Sequence, residues 1–205
     1  MSAIEMLLHR QSTPLLCHPA PKGDDLDAIL SSGMRVPDHG ALKPWHFTVI
    51  TGEGLNRLSK IFVEATNIEA LNSIALLEST IGNNSEAITI EKERLEKKLE
   101  KISKKPFRAP MIIVISTRFV DHKVPKQEQL ITAGCCAHAM QMAAYSLNYG
   151  AMWRTGGFSY NSVVKQGLEI SEDNEIVGFL YIGSPTKDAI VKPAKPYVDH
   201  VSYWR

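Results

Sequence analysis

Five consecutive apolar residues, Met111-Ile112-Ile113-Val114-Ile115, stand between Pro110 and Ser116 and constrain the fold more than any other segment. A strand sends successive side chains to opposite faces, so a strand with one wet face alternates apolar and polar residues. A short unbroken apolar run instead marks a strand covered on both faces. Residues 175–182 read as a second central strand, ended by Gly183-Ser184-Pro185. Residues 45–51 read as a third, closed by the turn Thr51-Gly52-Glu53-Gly54. Residues 151–155 give a short fourth that runs into Gly156-Gly157.

Covering both faces requires helices, and the sequence supplies them. Ser2 and Glu5 form a capping box ahead of Ile4, Leu7 and Leu8, so a helix starts near the first residue and stops before Pro14. A second helix is predicted over 24–34, capped by Asp24 or Asp25 and buried through Leu26, Ile29 and Leu30. Residues 55–80 are helical in pattern, as two pieces. Gly82-Asn83-Asn84-Ser85 breaks the region, and a charged helix follows to 105 with Ile88, Leu95, Leu99 and Ile102 on one stripe. Glu93–Lys97 and Glu100–Lys104 are its i,i+4 pairs. Residues 126–149 form a long helix rich in small residues (Ala133, Gly134, Cys135, Ala137), suited to a layer centre or a subunit interface, with Gly150 as its cap. The apolar tail, with Tyr197, Val198, Tyr203 and Trp204, is expected to lie across a surface, such as that of a partner subunit. The pattern is one α+β domain over 1–205.

A chain of 205 residues with 44% hydrophobic and 22% charged residues buries a sizeable core. Its formal net charge of +1 gives no basis for nucleic-acid or membrane-surface binding. No basic-then-apolar leader and no membrane-length apolar run is present, and three Cys do not make a disulfide framework. A cytoplasmic location is expected.

No dinucleotide-binding G-x-G-x-x-G, phosphate-binding Walker loop or nucleophile elbow is found. Cys135-Cys136-Ala137-His138 reads as buried structural cysteine, because a helix aims neighbouring residues about 100° apart and a metal needs converging ligands. Three polar clusters remain at the edges of regular elements. They are Arg10-Gln11-Ser12, the Pro-punctuated loop Arg35 to His39, and Trp153-Arg154-Thr155-Gly156-Gly157. Arg forks around phosphate, and an aromatic beside a Gly-rich backbone suits a flat ring approached closely. Each cluster alone is compatible with surface polarity. Together they point to a phosphorylated aromatic cofactor.

These segments, with Gly33-Met34-Arg35-Val36-Pro37-Asp38-His39, Pro44-Trp45-His46-Phe47, Pro106-Phe107-Arg108-Ala109-Pro110, Ala133-Gly134-Cys135 and Ile176-Val177-Gly178-Phe179, run in one order along nearly the whole chain. In this the chain resembles the FMN-dependent nitroreductases, in particular their compact bacterial branch. The resemblance implies a three-layer α/β/α sandwich with a small mixed, largely antiparallel central sheet, in an intertwined homodimer with FMN at the interface. It places Arg10, Gln11 and Ser12 at the FMN phosphate and ribityl chain, Arg35 and His39 at the flavin, and Trp153, Arg154 and Thr155 beside the isoalloxazine ring. It puts a pyridine-nucleotide segment at 143–148, and implies NADH or NADPH as co-substrate and a small nitroaromatic or quinone as acceptor in a ping-pong cycle. No catalytic acid or base and no metal is expected, and His39 and Lys123 are the side chains that could assist protonation. The alternatives are a flavin-binding module without turnover, another flavin reaction such as dehalogenation or enone reduction, or a thiol peroxidase using Cys135 or Cys136. Two departures stand out. Gln11 occupies a position where the family usually has a second Arg, and 64–105 is a longer helical insert expected near the flavin, where it would alter acceptor access.

Overall fold

The computed structural model describes residues 2–81, 85–187, 193 and 196–205. At its centre is β3 (Met111–Thr117), buried at every position. It pairs antiparallel with β2 (Trp45–Thr51) on one side and with β5 (Ile176–Pro185) on the other. On its far side β5 receives β4 (Gly150–Arg154) along residues 179–183, and the two-residue β1 (Leu16–Cys17) along 184–185. Among the described residues the strand pairings are all antiparallel, where a mixed, largely antiparallel sheet was expected.

The continuous apolar run of β3 has the predicted cause. Ile112 and Val114 enter one cluster with Leu55, Leu58 and Phe62 of α3 (Glu53–Ile81), Ile102 of α4 (Ser85–Ser103), and Phe179 and Tyr181 of β5. Met111, Ile113 and Ile115 enter the opposite cluster. There they meet Ile29 of α2 (Asp24–Gly33), Ala133, Ala137 and Met140 of α5 (Lys126–Ser146), and Leu180 and Ile182 of β5. Two helical layers therefore enclose one sheet, and the small residues of α5 let it lie close against the strands. Each fully buried Ile contributes about 1.5–3 kcal/mol.

Several boundaries differ from expectation. The capping box of α1 (Ala3–His9) forms as read, with Glu5 N–H donating to Ser2 Oγ and Ser2 N–H to the Glu5 carboxylate. The N-cap of α2 is Gly23 (φ +53°) and no side chain caps it, so Asp24 and Asp25 lie inside the first turn, where their charge suits the helix dipole. α3 is one continuous helix of 29 residues, not two. The predicted break at 82–84 lies outside the described residues. On α4, Glu100–Lys104 forms at 2.6 Å, and the other recorded ion pair is Glu91–Arg94. Gly150 does not cap α5 but opens β4: a Cβ there would come 2.6 Å from the Leu16 side chain and 2.9 Å from that of Thr13, so any larger residue would force both to shift. Gly183-Ser184-Pro185 does not end β5, since Ser184 and Pro185 pair with β1. The short helices α6 (Gly157–Tyr160) and α7 (Ser162–Gly167) follow β4. In the tail, Tyr197, Val198, Tyr203 and Trp204 are exposed.

Candidate functional site

The chain from α1 returns along the edge of the sheet. Arg10 is the C-cap of α1, its backbone N–H donating to Met6 O. Three residues later Thr13 N–H donates to Ala151 O at 3.0 Å, tying the segment to β4. Two of the three predicted clusters, Arg10–Gln11–Ser12 and Trp153–Arg154–Thr155, are thereby attached to one strand. Gly156 (φ +103°) follows in a backbone conformation that a side chain would strain.

Within β4 the predicted residues diverge. Trp153 lies opposite Leu180 and Arg154 opposite Phe179. Directly paired residues share a face. Trp153 therefore belongs to the α5 side, where its Nε1 donates to Val177 O at 3.3 Å. Arg154 belongs to the α3 side, with its guanidinium carbon 5.3 Å from the Tyr181 ring centroid. Thr155, beyond the strand, is exposed.

Two guanidinium atoms are buried and lack any hydrogen-bond partner, one terminal nitrogen of Arg10 and Nε of Arg154. A buried unpaired donor costs about 1–3 kcal/mol, more when charged. Such groups fit an anionic ligand at this edge better than they fit a purely structural role.

Two cations that sequence reasoning did not assign to the site stand near Arg154. Lys105 precedes the short 3-10 turn Pro106–Arg108, and its Nζ sits 4.8 Å above the Phe158 ring centroid. Burial, then the Arg108 charge, holds the Arg154 pKa below the usual guanidinium value. Burial, then Arg108, Arg154 and Lys98, lowers that of Lys105. The available signal was the pair of basic residues flanking Pro106-Phe107.

The third predicted cluster is held elsewhere in the chain. Arg35 follows α2 and is exposed, with its N–H donating to Ser32 O. His39 Nδ1 lies 2.7 Å from Glu128 Oε2 in the first turn of α5, and both side chains are largely exposed. Asp38 accepts from Lys43 N–H at 2.8 Å, which tightens the loop around Gly40. The segment 143–148 closes α5: Ser146 Oγ already donates to Ala143 O, Ala144 is buried, and Asn148 adopts φ +64°. Burial pushes the Cys136 thiol up to about 12, with Cys135 adding to the shift. Among the described residues no cluster of His, Cys, Asp or Glu could hold a metal ion. Nor is any helix among them long and apolar enough to cross a membrane.

The family model "Nitroreductase family" matches residues 18–184. The protein of Escherichia coli K12 named "Putative NAD(P)H nitroreductase YdjA" is 39% identical over 186 residues, covering 90% of this chain and 89% of that protein. A "Putative NAD(P)H nitroreductase" of Haemophilus influenzae is 30% identical over 191 residues, covering 92% and 91%. Among solved structures, a nitroreductase-like protein of Bacillus cereus superposes with a TM-score of 0.78 at 20% identity, covering 100% of this chain and 96% of that one. A nitroreductase of Bacteroides fragilis NCTC 9343 with bound FMN gives a TM-score of 0.69 at 18% identity, with 98% of each chain covered. The family match spans most of the chain, and both curated relatives cover about nine-tenths of it. The chain belongs to the nitroreductase family.

Proposed function

We propose that this protein is an FMN-dependent oxidoreductase that takes hydride from NADH or NADPH and delivers it to small acceptors such as nitroaromatics or quinones. The observation that carries the reading is the pair of buried, unpartnered guanidinium atoms of Arg10 and Arg154 at the β4 edge of a nitroreductase-family chain. Relatives named as NAD(P)H nitroreductases and a fold neighbour crystallised with FMN support the same cofactors here. When bound, the flavin supplies the hydride acceptance and release.

The chain's own residues position and stabilise. Arg10, with Gln11 and Ser12, holds the phosphate and ribityl chain, and the neutral Gln11 contributes hydrogen bonds without charge. Trp153 and the backbone of Thr155-Gly156 border the ring, because a glycine there leaves room for a flat group. Arg154 places positive charge near the ring, which favours negative charge on it. Arg35 and His39 approach from a second copy of the chain, with the exposed Glu128 of α5 orienting the His39 ring. Exposed Ile4, Leu7 and Leu8 of α1, Leu130 and Ile131 of α5, and the tail supply apolar surface for that homodimer. The chain acts as one unit over 1–205 in the cytoplasm, and the insert at 64–105 shapes acceptor access. Donor and acceptor use one place in turn, which gives ping-pong kinetics.

The test is the visible spectrum of the purified protein, followed by anaerobic addition of NADH and NADPH. Flavin absorbance that bleaches supports the reading. A bound flavin that neither nucleotide bleaches favours a binding module without turnover. A colourless protein that takes up no added FMN overturns the assignment.

A further inference from the structure

The segment that follows β4 does not hold its own shape. Thr155 is exposed, Gly156 adopts φ +103°, and α6 is a four-residue helix whose N-cap, Gly156, offers no side-chain hydrogen bond. Helices this short are not stable alone, and the two glycines that open α6 restrain the chain little. Its position is set from outside, by α3.

Two contacts do this. Phe158 stacks face to face on the buried Phe62, with ring centroids 4.0 Å apart and planes 1° from parallel. At the other end of α6, Asn161 Nδ2 donates to the Glu69 carboxylate at 2.6 Å. Phe62 and Glu69 both belong to α3 and stand two turns apart on one face, about 10 Å along its axis. One contact would leave the segment free to pivot, whereas two fix its direction.

Asn161 is suited to the second contact because its amide has two ends. Oδ1 accepts from Val164 N–H at 3.1 Å and caps α7, which leaves Nδ2 to reach α3. Asp and Ser cap a helix about as well as Asn, but an aspartate has no donor to offer Glu69. The acceptor is a carboxylate, so the bond is charge-assisted.

We propose that Glu69 and Asn161 are positioning residues of the flavin site, which hold the Thr155-Gly156 backbone in place beside the ring by acting through α6. The role rests on the reading above that puts this backbone at the ring. Glu69 lies within 64–105, so the helical insert steadies the surroundings of the cofactor as well as shaping acceptor access.

The experiment compares Asn161→Asp, Glu69→Ala and the double variant Glu69→Lys/Asn161→Asp with wild type, all as full-chain protein. Asn161→Asp keeps the α7 cap but sets a second carboxylate against Glu69. Glu69→Ala leaves the cap untouched. The double variant restores the link as an ion pair of opposite polarity. Lys60→Ala, at an exposed position of α3 away from both contacts, is the control.

Hydrogen–deuterium exchange of the FMN-free protein reads the link itself. Exchange at 155–161 should rise about fivefold in both single variants and return toward wild type in the double variant. Fluorescence titration reads the consequence: FMN affinity should fall about fivefold in the single variants and recover in the double, with Lys60→Ala unchanged. Unchanged exchange at 155–161 in both single variants overturns the link. Raised exchange with unchanged FMN affinity overturns the positioning role, because a contact that only adds stability would behave so. A wild type that takes up no FMN overturns the flavin reading and the positioning role with it, while the exchange result still decides the link.

Discussion

Trp153 and Arg154 are adjacent in β4 and project to opposite faces of the sheet, one paired with Leu180 and the other with Phe179. Gly178 makes the first placement possible. It adopts φ +154°, and a Cβ there would collide with the Trp153 indole Nε1 and come 2.8 Å from the Arg154 carbonyl oxygen. One glycine therefore controls both residues. Gly178→Ala should lift Trp153 off β5, loosen the β4–β5 pairing and destabilise the protein by about 2 kcal/mol or more. Urea unfolding together with tryptophan fluorescence checks this, and a near-wild-type midpoint would refute it.

Arg154→Met should stabilise the ligand-free protein, by about 1 kcal/mol. Methionine removes a buried unpartnered Nε and a charge repelled by Arg108, and it still covers Tyr181. The same change should weaken FMN binding. Melting curves recorded with and without FMN should therefore cross between the two proteins. If Arg154→Met lowers both curves, the contact with Tyr181 outweighs the cost of the orphaned donor.

The sheet was legible because burial on both faces leaves a direct mark, the unbroken apolar run at 111–115. Helices with strong apolar stripes were legible for the same reason. β1 is only two residues long and carries no periodicity, so nothing announced it. Gly150 and Gly183 looked like punctuation because the close approaches that require them, to Leu16 and to Pro110, are tertiary. At the site, the three polar clusters were visible as residue types at element edges. Their division was not: strand alternation separates Trp153 from Arg154, but which face is which depends on the partner strand. Lys105 and Arg108 were missed because their place beside Arg154 depends on the packing of the 106–108 turn against α3, which is tertiary.

The exposed tail predicts how the proposed dimer is held. Tyr197, Val198 and Tyr203 are about two-thirds exposed and Trp204 is 98% exposed, too much apolar surface for a stable isolated chain end. Deleting residues 196–205 should shift the protein toward monomer in sedimentation velocity. Because Arg35 and His39 are proposed to reach the flavin from the second copy, FMN retention should fall in parallel. A truncated protein that remains dimeric would assign the interface to α1 and α5 alone.

His46 predicts a pH dependence. Burial, then the Arg118 charge, lowers its pKa below the ordinary 6.5. The unfolded chain therefore binds a proton there more readily than the folded one. Stability from this residue is complete above pH 6.5 and declines as pH falls from 6.5 toward the lowered folded value. His46→Gln should flatten the stability profile in that window and leave it unchanged above pH 7. Urea midpoints measured across pH 5 to 8 test it, and an unaltered slope below pH 6.5 would remove His46 as the cause.

Cys136 predicts the fate of one half of the thiol alternative; Cys135, expected to be buried beside it, is exposed because the helix turns the two neighbouring side chains apart. Its side chain is fully buried on α5, its Sγ lies 3.7 Å from Thr132 O, and its pKa stands at about 12. The nucleophile in thiol chemistry is the thiolate, which at that pKa amounts to about one part in ten thousand at pH 8. Iodoacetamide should leave Cys136 unmodified in the folded protein and alkylate it after unfolding, as read by mass spectrometry. Cys136→Ala should cost about 1 kcal/mol through a small cavity and leave nitro-compound reduction within twofold of wild type. A hundredfold loss of activity in that variant, with the flavin still bound, would return the sulfur to the mechanism.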